Sequence, residues 1–179
     1  MIRLLFHVGL FILLGCKHQE ARRPVAQTQT DRFEKSIERN KQRYADEVKA
    51  IQSIIDDLPN STFKPSESGF WYSVIYNPKK NNYHPQFGDN INFDLSISYL
   101  NGLLIYPEQS TANQSYVMDQ EALFKGLREG LKLMTEGQKV EFLIPSQLAY
   151  GYYGDGDLIG PNVPLRCTVL LKSITQNKN

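Results

Sequence analysis

The 179-residue chain holds only three histidines, two cysteines and one tryptophan, and its acidic and basic side chains nearly cancel to a formal net charge of +1. Each shortage removes a class of function. So small a net charge gives no field to draw in nucleic acid, and no run rich in Lys and Arg occurs. Cysteines at positions 16 and 167 alone form no zinc-type pattern. His7 and His18 sit near the amino terminus, which leaves His84 in the loop "NNYHPQ", where a histidine is expected to be solvated. No G-x-S-x-G, P-loop or H-E-x-x-H pattern is present. "DGD" at Asp155 to Asp157 lacks the further ligands and closing glutamate of a calcium loop and reads as a turn. Hydrolase, kinase and metal chemistry therefore have no support, and neither a metal nor a cofactor is expected. An apolar content of 41% with 22% charged residues is ordinary for a globular domain.

Long hydrophobic runs are also missing. Leu4 to Leu14 is mostly apolar, but it is interrupted by His7 and Gly9 and falls short of the roughly 20 residues a membrane-spanning helix needs. With Arg3 before it and the polar stretch Lys17 to Glu20 after it, it reads as a signal peptide. "LLGC" (Leu13 to Cys16) resembles the lipobox of bacterial lipoproteins, in which the cysteine is lipidated and becomes the first residue. The alternatives are an ordinary buried cysteine or a disulfide to Cys167. Lipidation would tether the chain rather than make it span. Because Lys17 follows the cysteine, the expected location is the outer membrane, facing the periplasm. Cys167, in the alternating run "PLRCTVLL", is expected to be a small core residue.

Residues 1–15 are thus assigned to a signal peptide, 16–30 to a polar tether, 31–58 to a helix and 68–175 to a folded domain. Phe33, Ile37, Tyr44, Val48, Ile51 and Ile55 recur at helical spacing among charged residues, and Pro59 and Asn60 mark the stop. Two readings of this helix stay open: packing on its own domain, or a surface for a dimer or a larger machine. Beyond Gly69 the period changes to that of strands: "FWYSVIY" (Phe70 to Tyr76), "NINFDLSISYL" (Asn90 to Leu100), "LLIY" after the hairpin signal Asn101-Gly102, "SYVM", "QKVEFLIP" and "PLRCTVLLKSI". One helix interrupts them, with Asp119 placed to cap it and Leu123, Phe124, Leu127, Leu131 and Met134 on one face. Hairpin links make the sheet mainly antiparallel, so the fold class is α+β with the helix covering one face.

The densest glycine, tyrosine and proline stretch, "LAYGYYGDGDLIGPNVPL" (Leu148 to Leu165), reads as a shaped loop without acid–base machinery. Rotation about an X-Pro bond needs none. It breaks no covalent bond, its barrier is about 18–20 kcal/mol, and a pocket that excludes water and grips the twisted amide can lower it.

The blocks "SGFWYSVI", "GLREGLKLMTEGQKVEFLIPSQLAYGYYG" and "IGPN" together resemble the FK506-binding-protein type of peptidyl-prolyl isomerase over Ser68 to Ile174. The resemblance implies a bent antiparallel sheet wrapped around one short helix, with proline-containing peptide segments as partners. It places Tyr150 as the hydroxyl donor of the pocket, Phe124 at the position of the backbone N–H donor and Ile159 as a wall. Leu127 falls where many members have a tryptophan floor. Ile105 and Tyr106 fall on an aromatic–acid pair, so the family's pocket aspartate is missing there. Leu95 replaces a tyrosine and Cys167 a phenylalanine. A further pocket aromatic would fall near Gln114 to Tyr116. The layout of lipobox, helix and altered pocket is similar to isomerase-type lipoproteins associated with gliding motility in Bacteroidetes. Three readings follow: a lipid-anchored isomerase of envelope proteins, a non-catalytic peptide-binding or chaperone module, and a structural lipoprotein.

Overall fold

The computed structural model describes residues 29–58, 62–78 and 82–178; Cys16 and the stop signals Pro59 and Asn60 lie outside them. Contacts divide the chain into two compact units, residues 1–36 and 37–179. The described part of the first is only the start of helix α1 (Gln29–Asp56). No helix among the described residues is long and apolar enough to cross a membrane.

Helix α1 has no internal Pro or Gly, carries Asp31 in its first turn where the helix dipole favours a negative charge, and is braced by Gln42–Asp46 and Gln52–Asp56 side-chain hydrogen bonds of 3.0 and 2.8 Å. Its apolar stripe is used unevenly. Ile51 is fully buried in the second unit, whereas Phe33 and Ile37 are 68% and 40% exposed. The helix thus packs on its own domain through its second half.

Among the described residues seven strands form one sheet: β1 (Lys64–Pro65), β2 (Trp71–Tyr76), β3 (Asn90–Tyr99), β4 (Leu104–Tyr106), β5 (Gln114–Val117), β6 (Lys139–Ile144) and β7 (Leu165–Thr175). Every pairing is antiparallel, in the order β1-β2-β6-β7-β3-β4, with β5 also paired to β3. Strand β3 is the spine. It runs beside β7 from Asn90 to Tyr99, and along its other edge meets β5 at Asn90 to Phe93 and β4 at Ile97 and Ser98. The period-2 pattern is obeyed: Ile91, Phe93, Leu95 and Ile97 of β3 and Leu165, Cys167, Val169 and Leu171 of β7 are all buried. Fully burying each of the larger of these side chains stabilises the fold by about 1.5–3 kcal/mol. Cys167 is a free, fully buried thiol, and burial pushes its pKa far above that of an ordinary thiol.

Helix α2 (Lys125–Leu131) packs against the sheet at β6. Leu127 and Leu131 enter the core, while Gly126 and Gly130 bring the helix backbone directly onto β6. A Cβ on Gly126 would lie 2.5 Å from Ile144 Cγ2, and one on Gly130 would lie 2.8 Å from the Phe142 ring. Phe142 and Ile144 are two apart on β6, so they share a face, as Gly126 and Gly130 do on the helix. The helix is shorter than the sequence pattern implies, and Asp119 does not cap it. Asp119 has φ 59°, a turn conformation, and its carboxylate reaches the flank of α2 at Lys132 (3.0 Å) and Arg128 (3.5 Å). The N-cap is Phe124, with extended backbone angles and no side-chain cap. Leu123 and Phe124 therefore sit ahead of the helix rather than on its face.

Candidate functional site

A cleft of about 250 Å³ opens on the side of β3 that faces the start of α2. Alternate residues Phe93, Leu95 and Ile97 of β3 form its apolar base, which follows from the two-residue period of the strand. Tyr106 at the end of β4, Thr111 and Gln114, and Leu123 and Phe124 ahead of α2 supply the sides. Tyr150 and Asp155 contribute from the glycine-rich flap. A second cavity of about 250 Å³, between α1 and the flap, is lined by polar groups including Asn40, Arg43, Glu47 and Ser146. The cleft is the better candidate, because its apolar base is joined by a few convergent polar groups.

Two donors on residues that line this cleft have no protein partner among the described residues. The Tyr150 hydroxyl makes no hydrogen bond among the described residues, and neither does the backbone N–H of Phe124. Among the described residues no buried side-chain polar atom is left unsatisfied, so the Tyr150 hydroxyl opens to the cleft rather than into the core. The two rings pack together, centroids 4.9 Å apart and planes at 46°. Burial, then the nearby Asp155 charge, raises the Tyr150 pKa, so its hydroxyl stays protonated and can donate at neutral pH.

The flap is held by local bonds and by long-range bonds to the Tyr106 hydroxyl. Its base closes through the Asn162 N–H to the Gly151 carbonyl at 2.7 Å, and its inner turn through the Asp155 N–H to the Ile159 carbonyl at 3.0 Å. Gly154, at φ 72°, passes so close to the Ile159 carbonyl that no side chain fits there. The Asp155 carboxylate accepts the N–H groups of Asp157 and Ile159, both at 2.9 Å, through one oxygen. Its other oxygen accepts the Tyr106 hydroxyl at 2.6 Å. Burial opposes the charge, yet the Tyr106 hydroxyl and these N–H groups hold the Asp155 carboxyl below its ordinary range. Tyr106 is correspondingly pushed up to about 12, chiefly by its hydrogen bond to Asp155. At the tip, Tyr152 and Tyr153 pack edge to face and are 71% and 87% exposed.

Of the residues singled out from sequence, Leu95, Phe124 and Tyr150 line the cleft. Leu127 and Ile159 are buried in the adjoining core, and Ile105 is half-buried against it. His84 is exposed. No acid stands at Ile105 or Tyr106, but a carboxylate lines the cleft all the same, carried by Asp155 on the flap. Sequence reasoning missed it because "DGD" read only as a turn; the signal was a tyrosine hydroxyl at the cleft position, which needs an acceptor. The segment before the helix contributes Thr111 and Gln114 rather than an aromatic. Tyr116 instead points into the core, with its hydroxyl donating to the Glu121 carbonyl at 3.3 Å. The Thr111 hydroxyl donates to the Leu95 carbonyl, and Asp94 accepts the Asn113 N–H at 2.7 Å; together they pin this segment to β3.

This architecture has known counterparts. A peptidyl-prolyl cis-trans isomerase from Pseudomonas syringae pv. tomato superimposes with a TM-score of 0.62 at 22% identity, covering 76% of this chain and 96% of that one. FkpA from Escherichia coli gives 0.61 at 22% identity, over 97% of this chain and 82% of that one. Both show the shared fold. In sequence, the chain is 28% identical over 147 residues to the probable FKBP-type peptidyl-prolyl cis-trans isomerase FkpA of Neisseria meningitidis, a match covering 81% of this chain. It is 46% identical over 52 residues to the macrophage infectivity potentiator of Trypanosoma cruzi, 29% of this chain. The matched region spans 53% of the length of the first relative and 26% of the second. The family described as FKBP-type peptidyl-prolyl cis-trans isomerase matches residues 81–172, just over half of the chain. By that match the chain belongs to the FKBP-type peptidyl-prolyl cis-trans isomerase family.

Proposed function

We propose that this chain catalyses cis/trans isomerisation of X-Pro bonds in cell-envelope proteins while anchored by a lipid at Cys16. The observation that carries the catalytic part is the apolar cleft with two donors unpartnered among the described residues, the Tyr150 hydroxyl and the Phe124 N–H, beside a carboxylate, Asp155, that is already engaged by the Tyr106 hydroxyl and two N–H groups. Unaided, the rotation takes tens to hundreds of seconds. As the amide twists, its resonance is lost. A proline ring on the Phe93–Leu95–Ile97 base would leave water, and donors fixed in a dry cleft would hold the peptide carbonyls through the rotation. The membrane part rests on the "LLGC" pattern, and the link to gliding machinery on the order of lipobox, helix and altered pocket in the sequence.

The test is exchange spectroscopy on an X-Pro peptide with apolar X, added to the full-length protein. Accelerated exchange that weakens in Tyr150→Phe supports the reading; exchange at the background rate rejects it. Metabolic labelling with a clickable fatty acid, lost in Cys16→Ser, checks the anchor.

A second reading has one observation behind it. Leu127 and Cys167 are fully buried aliphatic and thiol side chains where many family members carry aromatic rings. Less aromatic wall favours holding a peptide over turning it. Peptide binding or suppressed aggregation, without acceleration, would select this reading.

A further inference from the structure

Helix α1 lies outside residues 81–172, the part of the chain matched by the family. Yet it contributes a buried carboxylate to the turn that carries Tyr150. Glu47 is 9% exposed and grips Ser146 with both oxygens. One accepts the Ser146 N–H at 2.8 Å and the other the Ser146 hydroxyl at 2.7 Å, across 99 residues of sequence. Glu47 forms no ion pair among the described residues. A buried carboxylate is tolerated only where such donors replace water, so the pair is a fixed joint.

Ser146 in turn organises both sides of Tyr150. It opens the 3-10 turn Ser146–Leu148. Its carbonyl accepts the Ala149 N–H at 3.1 Å and the Gly151 N–H at 2.9 Å, which are the residues on either side of Tyr150. The Gly151 carbonyl then accepts the Asn162 N–H at the base of the flap. A continuous series of short bonds therefore runs from Glu47 through Ser146 to the backbone that aims the Tyr150 ring and starts the flap.

We propose that Glu47 is a positioning residue for Tyr150, and that α1 is an integral support of the cleft rather than a detachable stalk. The kinetic part of this statement rests on the isomerase reading; the structural part does not. Loss of Glu47 frees the Ser146 turn, and the Tyr150 donor then samples orientations that do not meet the peptide.

The experiment compares four variants of the full-length protein with the parent. Glu47→Leu keeps bulk but removes the acceptors. Glu47→Gln keeps an acceptor for the Ser146 N–H. Ser146→Ala removes only the hydroxyl bond. Ile51→Ala loosens the packing of α1 without touching Ser146. Amide hydrogen exchange at Ser146, Ala149 and Gly151 is read alongside kcat and KM for the X-Pro peptide. The expected result is exchange at these amides faster by about tenfold in Glu47→Leu, with kcat reduced more than KM is raised. Glu47→Gln restores most of both, and Ser146→Ala shows a smaller change in the same direction. Ile51→Ala, at a comparable loss of Tm, leaves these amides protected. Unchanged exchange in Glu47→Leu overturns the proposal, and so does an Ile51→Ala variant that reproduces both effects. Should Glu47→Leu fail to fold, an unchanged Ser146→Ala overturns it instead. Absence of activity in the parent rejects the isomerase reading alone, because amide exchange still decides the joint.

Discussion

The Tyr106 hydroxyl donates to an Asp155 carboxylate oxygen at 2.6 Å, joining residues 49 apart in sequence and tying the end of β4 to the flap. The same hydroxyl lies 3.1 Å from Asp157 and accepts the Leu158 N–H at 3.3 Å. One phenol thus ties β4 to the flap at the lining of the cleft. The position that lacks the family's acid holds the donor, and the acid comes from the flap.

This clasp has a titration signature. The Tyr106 pKa is raised to about 12, against about 10 for an ordinary phenol. A raised folded-state pKa means that the clasp contributes fully below the ordinary value and is lost as pH climbs through 12. Phenolate absorbance should therefore show a late-titrating tyrosine that disappears in Tyr106→Phe and moves back toward the ordinary range in Asp155→Asn. Tyr83 and Tyr150 are also raised, so the difference between parent and variant is the informative quantity. A late phenol that survives in Tyr106→Phe would place it elsewhere.

Replacing Tyr150 by Phe removes one uncharged donor and leaves the ring against Phe124. A hydrogen bond of that kind contributes about 0.5–1.5 kcal/mol, so kcat/KM for the X-Pro peptide should fall roughly threefold to tenfold, with little change in Tm. A large loss of Tm would mean that the hydroxyl has a structural role the geometry does not show.

Gly126→Ala should destabilise the protein although alanine is the better helix former. The propensity gain is about 1 kcal/mol. Against it, the new Cβ would sit 2.5 Å from Ile144 Cγ2 and 3.0 Å from the Leu148 carbonyl, in a site closed by fully buried Ile144. Overpacking of this kind costs about 1–3 kcal/mol, so urea denaturation should show a net loss on the order of 1 kcal/mol. A gain in stability would show that α2 can move off β6.

Acid should unfold the protein partly through Asp89 and Asp94. Burial opposes the charge of each. At Asp89 the N–H groups of Gln86 and Asn177 and the Tyr83 hydroxyl outweigh it, and at Asp94 Lys172 at 2.7 Å and the Asn113 N–H do so. Both folded pKa values are lowered, so their stabilisation is present above the ordinary aspartate pKa and fades as pH falls through the depressed values. Asp89→Asn should lower stability at neutral pH and flatten its decline between neutral and acid conditions. An equally steep decline in Asp89→Asn would assign the acid sensitivity to other groups.

Periodicity carried much of the fold. The apolar spacing of α1, the alternation of β3 and β7 and the Asn101-Gly102 turn, where Gly102 has φ 87°, are local patterns that one conformation satisfies best. Where local signals misled, a distant partner had intervened. Asp119 has the chemistry of a helix cap, but Lys132 and Arg128 draw its carboxylate to the side of α2, and its backbone takes a left-handed turn. The strand β1, only Lys64–Pro65, exists through its pairing with β2 and leaves almost no pattern.

The sequence by itself determined the α+β class and the strands and helices that side-chain period dictates, while Leu95, Phe124 and Tyr150 were named through the family resemblance. Tertiary structure alone decided which polar groups meet. Tyr106 with Asp155 and Glu47 with Ser146 are pairs 49 and 99 residues apart. No local rule encodes such a pairing, because a buried hydroxyl or carboxylate requires a partner but does not specify where in the chain that partner lies. The sheet and α1 bring those groups within hydrogen-bond distance, and the shape of the cleft follows from them.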